Sequence, residues 1–272
     1  MNYRHAFHAG NFGDCVKHAL LLWLIRALQR KPGALMILDT HAGIGRYDIS
    51  GGPATRTGEF RAGILRLLDD PPAPLADFVG LVHGLGLYPG SPAIARALLR
   101  PQDRLVCCER HPEDFLLLRR EFARDKQVAV HARDAWEALG ALLPPPERRG
   151  LILIDPPYEA PDEFERLLAG LRLGHSRFAS GVFAAWYPVK HRAPVRAFHA
   201  AMRENGIRDI VAAELLLREP LDAARLNGCG LLVVNPPFRF EAEAPEILAA
   251  LLDRLGTREI GEGCFVERLA DE

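Results

Sequence analysis

Four consecutive apolar residues, Leu151-Ile-Leu-Ile154, run straight into Asp155-Pro156-Pro157-Tyr158. No other stretch limits the fold as much. An apolar run of this length without alternation suits a strand covered on both faces, as in a parallel sheet between two helical layers. The two prolines donate no ladder hydrogen bond and restrict the residue before each of them, so the chain must leave the sheet at Asp155. The predicted result is a stiff loop at the carboxyl edge of an open α/β sheet, where ligands of such sheets bind. It holds one carboxylate, prolyl carbonyls and one aromatic ring. That set suits a planar base with an exocyclic amine: acceptors for the N–H groups, and a ring to stack on the base.

The rest of the chain supplies the sheet. Strands are expected at 35–40, 104–110, 127–133, 181–188, 207–217 and 229–234, with helices at 14–30, 92–99, 112–124, 161–171, from the 190–196 loop to 205, and 244–255. Strands alternating with helices predict a doubly wound, mostly parallel Rossmann-like sheet. The closing pair has only a loop near 222–228 between its strands, so its last strand should be antiparallel. Residues 47–90 are too long for a simple crossover and read as a small helical insertion, with helical pieces near 58–69 and 74–85. Residues 1–13 read as an irregular arm. Asp14 is expected to cap the first helix, and Ser91, followed by Pro92, the helix after the insertion. A short tail is expected at the end, and the 272 residues are read as one domain.

Several residues fall at strand ends that face a ligand. His41-Ala-Gly-Ile-Gly-Arg46 is a glycine turn after the first strand. It lacks the third glycine of the dinucleotide fingerprint, since Asp48 stands there, which favours another nucleoside-type ligand. Glu109 ends the second strand, where a ribose-diol acceptor belongs. Asp134 and Ala135 follow the third and could read an adenine edge. A second motif of similar form, Asn235-Pro-Pro-Phe238, also follows an apolar strand. Because that strand should run antiparallel, its end lies at the opposite edge, and a structural turn is expected there.

Composition narrows the class. Net charge is −1, so the chain is no bulk polyanion binder, and any nucleic-acid site must be a local patch. The five cysteines form no C-x-x-C pair and are read as reduced thiols of a cytoplasmic protein. No uncharged run is long enough to span a membrane. His5, His8 and His18 lack companions at metal-site spacing, so no metal is expected.

Taken together, Asp39-Thr-His-Ala-Gly-Ile-Gly45, Glu109, Asp134 and Asp155-Pro-Pro-Tyr158 resemble a class I S-adenosylmethionine-dependent adenine-N6 methyltransferase. More narrowly, five stretches resemble the bacterial 23S ribosomal RNA large-subunit adenine-N6-methyltransferase J family. These are the arm Tyr3-Arg-His-Ala-Phe-His-Ala-Gly-Asn11, the Lys17-His18 pair, Asp39-Thr-His-Ala-Gly43, Tyr88-Pro-Gly-Ser-Pro92 and Leu151–Tyr158. The resemblance runs nearly end to end. It implies that Asp155 is catalytic, that Tyr3 meets the RNA, and that His18, His41, Ser91, Glu109, Asp134, Ala135 and Asp155 bind S-adenosylmethionine. Pro156 and Tyr158 would hold the target base, the partner would be 23S rRNA, and a monomer without DNA or membrane partners is expected. Other substrates of the same fold, DNA adenine or a protein glutamine, stand as alternatives, as does a non-catalytic RNA-binding module.

Overall fold

The structure is a computed structural model that describes residues 4–272. The arm makes one 3-10 turn, His5–Phe7, and enters helix α1, Phe12–Gln29. Its N-cap is Asn11, not the expected Asp14: the Asn11 side chain accepts from the Asp14 N–H at 2.9 Å. Asp14 sits in the first turn with its carboxylate buried, where it accepts from the Gly10 N–H. Apolar on nearly every side, α1 is buried along most of its length.

Strand β1, Met36–Asp39, is followed by the insertion. Two short strands, β2 (Arg46–Tyr47) and β3 (Tyr88–Pro89), pair antiparallel and close its neck around helices α2 (Ala54–Thr57) and α3 (Ala76–Leu85). The helix expected near 58–69 is instead two 3-10 turns, Glu59–Arg61 and Ile64–Arg66, because glycines break it. Gly58 takes φ +67°, and Gly63 (φ −109°, ψ −115°) backs so closely onto the arm that a Cβ there would lie 2.0 Å from the Gly10 carbonyl oxygen. Helix α4, Ser91–Leu98, starts one residue earlier than expected, with Gly90 as N-cap. Ser91 is thus the first helical residue, not the cap, and lies buried near the Asp39 carboxylate, whose pKa it lowers.

The remaining chain alternates regularly: β4 (Arg104–Glu109), α5 (Pro112–Glu121), β5 (Val128–Ala132), α6 (Ala135–Ala141), β6 (Gly150–Ile154), α7 (Glu163–Arg177), β7 (Val182–Val189), α8 (Arg192–Glu204) and β8 (Ile210–Leu216). Then come β9 (Gly228–Val234), α9 (Phe240–Leu255) and β10 (Gly263–Ala270). The eight-stranded sheet runs β10-β8-β9-β7-β6-β1-β4-β5. Strands β5, β4, β1, β6 and β7 are mutually parallel. As expected, β9 is antiparallel, and it slots between β7 and β8. The expected short tail is in fact β10, antiparallel to β8 at the sheet edge. Glu267 and Arg268 interrupt its apolar pattern, as charges commonly do on edge strands, and hide it from periodicity.

On β6, Leu151 and Leu153 join the core under α1, α4 and α9, while Ile152 and Ile154 join the core on the opposite face. The strand is thus buried on both sides, each such side chain contributing about 1.5–3 kcal/mol. From β1 the chain winds one way to β4 and β5 and the other way to β6 and β7. The crevice between β1 and β6 is therefore the topological switch point, where α/β sheets bind ligands. No helix among the described residues is long and apolar enough to cross a membrane.

Candidate active site

A cleft of about 1200 Å³ opens over the switch point. His18, His41, Ser91, Glu109, Asp134, Ala135, Asp155, Pro156 and Tyr158 all line it, brought from six separate elements. Tyr3, the expected RNA contact, lies outside the described residues.

Asp155 leaves β6 into the cleft, its backbone N–H held by His41 Nδ1 at 3.3 Å. Its Oδ2 is 2.5 Å from the Lys17 ammonium, which also meets Asp14 Oδ1 at 2.9 Å. Asp14 in turn pairs with His5 Nε2 at 2.9 Å. Burial works against the charge on Lys17, but the two carboxylates outweigh it, and the ammonium titrates well above its usual range. Burial likewise opposes ionisation of Asp14, and His5 and Lys17 outweigh that, so its carboxyl titrates well below the usual range. The outcome is a chain of contacts, His5–Asp14–Lys17–Asp155, buried at Asp14 and Lys17, that fixes one carboxylate oxygen of Asp155. Sequence reading did not assign this chain. Its signal was present: Asp14-x-x-Lys17-His18 places polar groups in a helix otherwise apolar all round, where they must find partners.

The loop after β1 approaches the cleft with Gly43 and Gly45 at φ +61° and +86°. A Cβ on Gly43 would lie 2.3 Å from the Tyr47 hydroxyl. Glu109 accepts from the Gly43 N–H at 2.8 Å and from the His111 N–H at 2.7 Å. Burial raises its pKa even so. Asp134 is the N-cap of α6, accepting from the Trp136 N–H at 2.9 Å, and its other oxygen meets the exposed Arg110 at 3.1 Å. The adenine-edge contact expected of Asp134 therefore shares that carboxylate with a helix cap.

Three buried polar atoms at or beside the cleft have no hydrogen-bond partner among the described residues, His18 Nε2, Asp39 Oδ2 and Trp186 Nε1. His18 Nδ1 bonds the Tyr88 hydroxyl at 2.9 Å, and burial lowers its pKa to about 3, so the ring is neutral. His41 is likewise lowered by burial, to about 4, with Asp155 opposing. Asp39 is raised by burial to about 6, against the Ser91 hydrogen bond. The two arm histidines are also spoken for. His5 holds Asp14, and His8 Nδ1 meets Glu59 Oε1 of the insertion at 2.7 Å. Arg4 crosses to Asp114 at 2.9 Å and to Glu113 at the start of α5, so the arm straps one side of the cleft to the other.

Tyr158 has φ +51°, a conformation costing a non-glycine residue about 1–2 kcal/mol. Its hydroxyl donates to the Trp186 carbonyl at 2.8 Å, and its ring meets those of Phe164 and Trp186 at centroid distances of 5.2 and 6.0 Å. Trp186 was not singled out in the sequence, since on β7 it reads as one more core residue. Asn235 is far from this site. It follows β9 at the opposite edge with φ +52°, and its side chain donates to the Ala179 and Gly181 carbonyls at 2.8 and 2.7 Å. It is the structural turn expected.

A glycine loop after β1, carboxylates after β4 and β5 and the switch-point cleft together define a Rossmann-like class I methyltransferase. A probable spermidine synthase from Corynebacterium glutamicum shares the fold at TM-score 0.53 and 16% identity, over 95% of this chain and 75% of that one. The family model described as ribosomal RNA large subunit methyltransferase D, RlmJ, matches residues 32–265, and the chain belongs to that family. It is 41% identical over 263 residues to ribosomal RNA large subunit methyltransferase J of Escherichia coli. The protein of the same name from Haemophilus influenzae is 40% identical over 264 residues, and 94% of each chain is covered in both cases. A crystal structure of the Legionella pneumophila protein LPL1258 superposes at TM-score 0.87 with 35% identity, over 96% of this chain and 98% of that one.

Proposed function

We propose that this protein transfers the methyl group of S-adenosylmethionine to N6 of an adenine in 23S rRNA, with Asp155 as the catalytic residue. The names of the relatives support the RNA substrate. The observation that carries the chemistry is the Asp155 carboxylate, fixed through Oδ2 by Lys17 beside the prolyl carbonyls and Tyr158.

An adenine N6 lone pair is delocalised into the ring and is a poor nucleophile. With Oδ2 held by Lys17, Oδ1 of Asp155 accepts one N6–H and the Pro156 carbonyl accepts the other. The lone pair then localises toward the methyl, and holding the nitrogen in line is the larger share of the catalysis. No proton need leave first, since it is lost readily once the methylated nitrogen is cationic. Tyr158 stacks on the base, worth about 1–3 kcal/mol, and the base reaches it by leaving its stack in the RNA.

The residues fit the donor. Gly43 and Gly45 bring backbone close to it, Glu109 takes the ribose diol, Asp134 and Ala135 take the adenine end, and His18, His41 and Ser91 complete the set. The unpartnered His18 Nε2 is a hydrogen-bonding position a polar donor group fills. When bound, S-adenosylmethionine supplies an electrophilic methyl on a cationic sulfur. A monomer acting in the cytoplasm, with the arm and residues 47–90 as substrate-facing parts of one domain, completes the reading.

Incubating the protein with labelled donor and separate rRNA, DNA and protein fractions tests it. Label in rRNA, mapped by mass to N6-methyladenosine, is expected. Label confined to DNA or protein would sink the RNA assignment.

A further inference from the structure

At the strand ends the charged side chains that line the cleft change sign along the sheet, with Glu59, Arg110, Glu159, Glu163 and Arg166 lining it as well. Carboxylates stand after β4, β5 and β6, as Glu109, Asp134 and Asp155. Past β6 the sign changes. Lys190 follows β7 and Arg218 follows β8, and both line the same cleft. Arg225, from the β8–β9 loop, lines it too, and it shares one carboxylate with Arg218: Glu259 is 2.9 Å from Arg218 and 3.6 Å from Arg225. Two guanidiniums on one carboxylate leave one positive charge over. The loop is tied to Lys190 by the Asn227 side chain, which donates to the Lys190 carbonyl at 2.8 Å.

A fourth cation comes from the insertion. Arg66 is exposed, lines the cleft and has no ion-pair partner among the described residues, and the same holds for Lys190. The insertion reaches this side of the cleft because Gly63 packs on Gly10 and Asn11, close to Gly13, over which Trp186 and Leu226 lie. Beside the basic rim stand two exposed aliphatic side chains, Leu221 and Ile260, on backbones joined through Glu219.

We propose that Arg66, Lys190 and Arg225 form the phosphate grip for the RNA strand that delivers the target base, with Arg218 held behind them by Glu259. This rests on the function proposed above and says which surface the RNA takes. The sorting of charge matches the two ligands: a cationic sulfonium donor at the acidic end, a polyanion at the basic end, and Asp155 between them. The site explains how a chain of net charge −1 holds RNA without a basic face. The aliphatic tips fit the faces of bases flanking the extruded one.

Binding of a 23S rRNA transcript, measured across a salt series, tests the grip in Arg66→Ala, Lys190→Ala and Arg225→Ala. Each lost contact to single-stranded RNA should lower the log–log salt slope by about 0.7, which at about 0.1 M salt is a fivefold loss of affinity. Transfer should show a raised RNA KM with little change in kcat, and donor affinity should stay as in the wild type. Glu259→Gln, which frees two guanidiniums, should tighten RNA binding and steepen the slope. RNA affinity and slope unchanged in all three alanine variants, while the wild type methylates the transcript, overturns the grip and leaves the proposed function standing. A wild type that binds donor but methylates no rRNA overturns both.

Discussion

The Lys17 ammonium lies 2.5 Å from Asp155 Oδ2, across 138 residues of sequence, and 2.9 Å from Asp14 Oδ1 on its own helix. One cation thus joins a carboxylate that holds the arm to the carboxylate that faces the cleft. The two anions have separable roles. Asp155→Asn leaves Lys17 paired with Asp14, so the fold should survive with a melting temperature close to wild type. Methyl transfer should fall by about 10²–10³ in kcat, the scale of losing one well-placed polar group in an active site. Lys17→Met should do more, because it strands buried Asp14. Losing one member of a buried pair costs about 3–5 kcal/mol, so urea unfolding should show the loss alongside the fall in transfer. A Lys17→Met protein as stable as wild type would show that Asp14 does not need the ammonium.

Two fully buried groups pull the pH dependence of stability in opposite directions. His18 titrates at about 3 in the folded protein against an ordinary 6.5, so between those values the unfolded chain binds more protons and stability rises with pH. Asp39 titrates at about 6 against 3.8, so across that window the folded protein binds more protons and stability falls as pH rises. Each proton is worth about 1.4 kcal/mol per pH unit. Between pH 4 and 6 the two nearly cancel, while His41, lowered to about 4, adds a rising contribution. Asp39→Asn should therefore steepen the rise of unfolding free energy with pH by about 1.4 kcal/mol per unit in that window. His18→Gln should flatten it by a similar amount. Chemical denaturation of the donor-free protein at several pH values measures both.

Gly43 has no room for a side chain. At φ +61° an alanine is strained by about 1–2 kcal/mol, and its methyl would meet the Tyr47 hydroxyl. Relief requires shifting the buried Tyr47 ring or the backbone that presents the Gly43 N–H to Glu109. Gly43→Ala should weaken donor binding by tenfold or more in calorimetry while the far-UV spectrum stays native. Unchanged donor affinity would take the glycine turn out of the donor site.

Asn235→Ala should leave transfer intact and cost stability. The variant loses two hydrogen bonds to the carbonyls of Ala179 and Gly181, at about 1 kcal/mol each, and leaves a left-handed residue without its local support. A loss of about 2–3 kcal/mol in urea unfolding with unchanged kcat is the expected pair of results. Abolished transfer in a folded Asn235→Ala protein would move the active site to the wrong edge of the sheet.

That contrast shows what sequence can and cannot carry. Asp155-Pro-Pro-Tyr158 and Asn235-Pro-Pro-Phe238 are almost the same four letters after almost the same apolar run. Only strand direction separates them, and that was legible because no helix fits between β8 and β9. The strand ends carrying Glu109, Asp134 and Asp155 were readable for the same reason: the sheet's winding order dictates which ends meet. The failures have local causes. Ser91 and Asp14 resemble caps, yet Ser91 lies buried beside Asp39, and Asp14 is engaged by Gly10, His5 and by Lys17 one turn further along its own helix. The insertion's first helix dissolves where Gly63 meets the arm, and β10 is masked by the charges an edge strand carries. Lys17 was visible as an oddity in an apolar helix, but its partner at Asp155 is a fact of packing.

The close approach of Gly63 to Gly10 makes the arm and the insertion a single fitted joint. Neither can be exchanged alone. A chimera that takes residues 47–90 from a relative but keeps its own arm inherits a mismatched joint and misplaces His5, and through Asp14 and Lys17 it disturbs the carboxylate at Asp155. The part that varies most easily in length among proteins, a surface insertion, is here mechanically coupled to the Asp155 carboxylate, so the two segments have to be exchanged together.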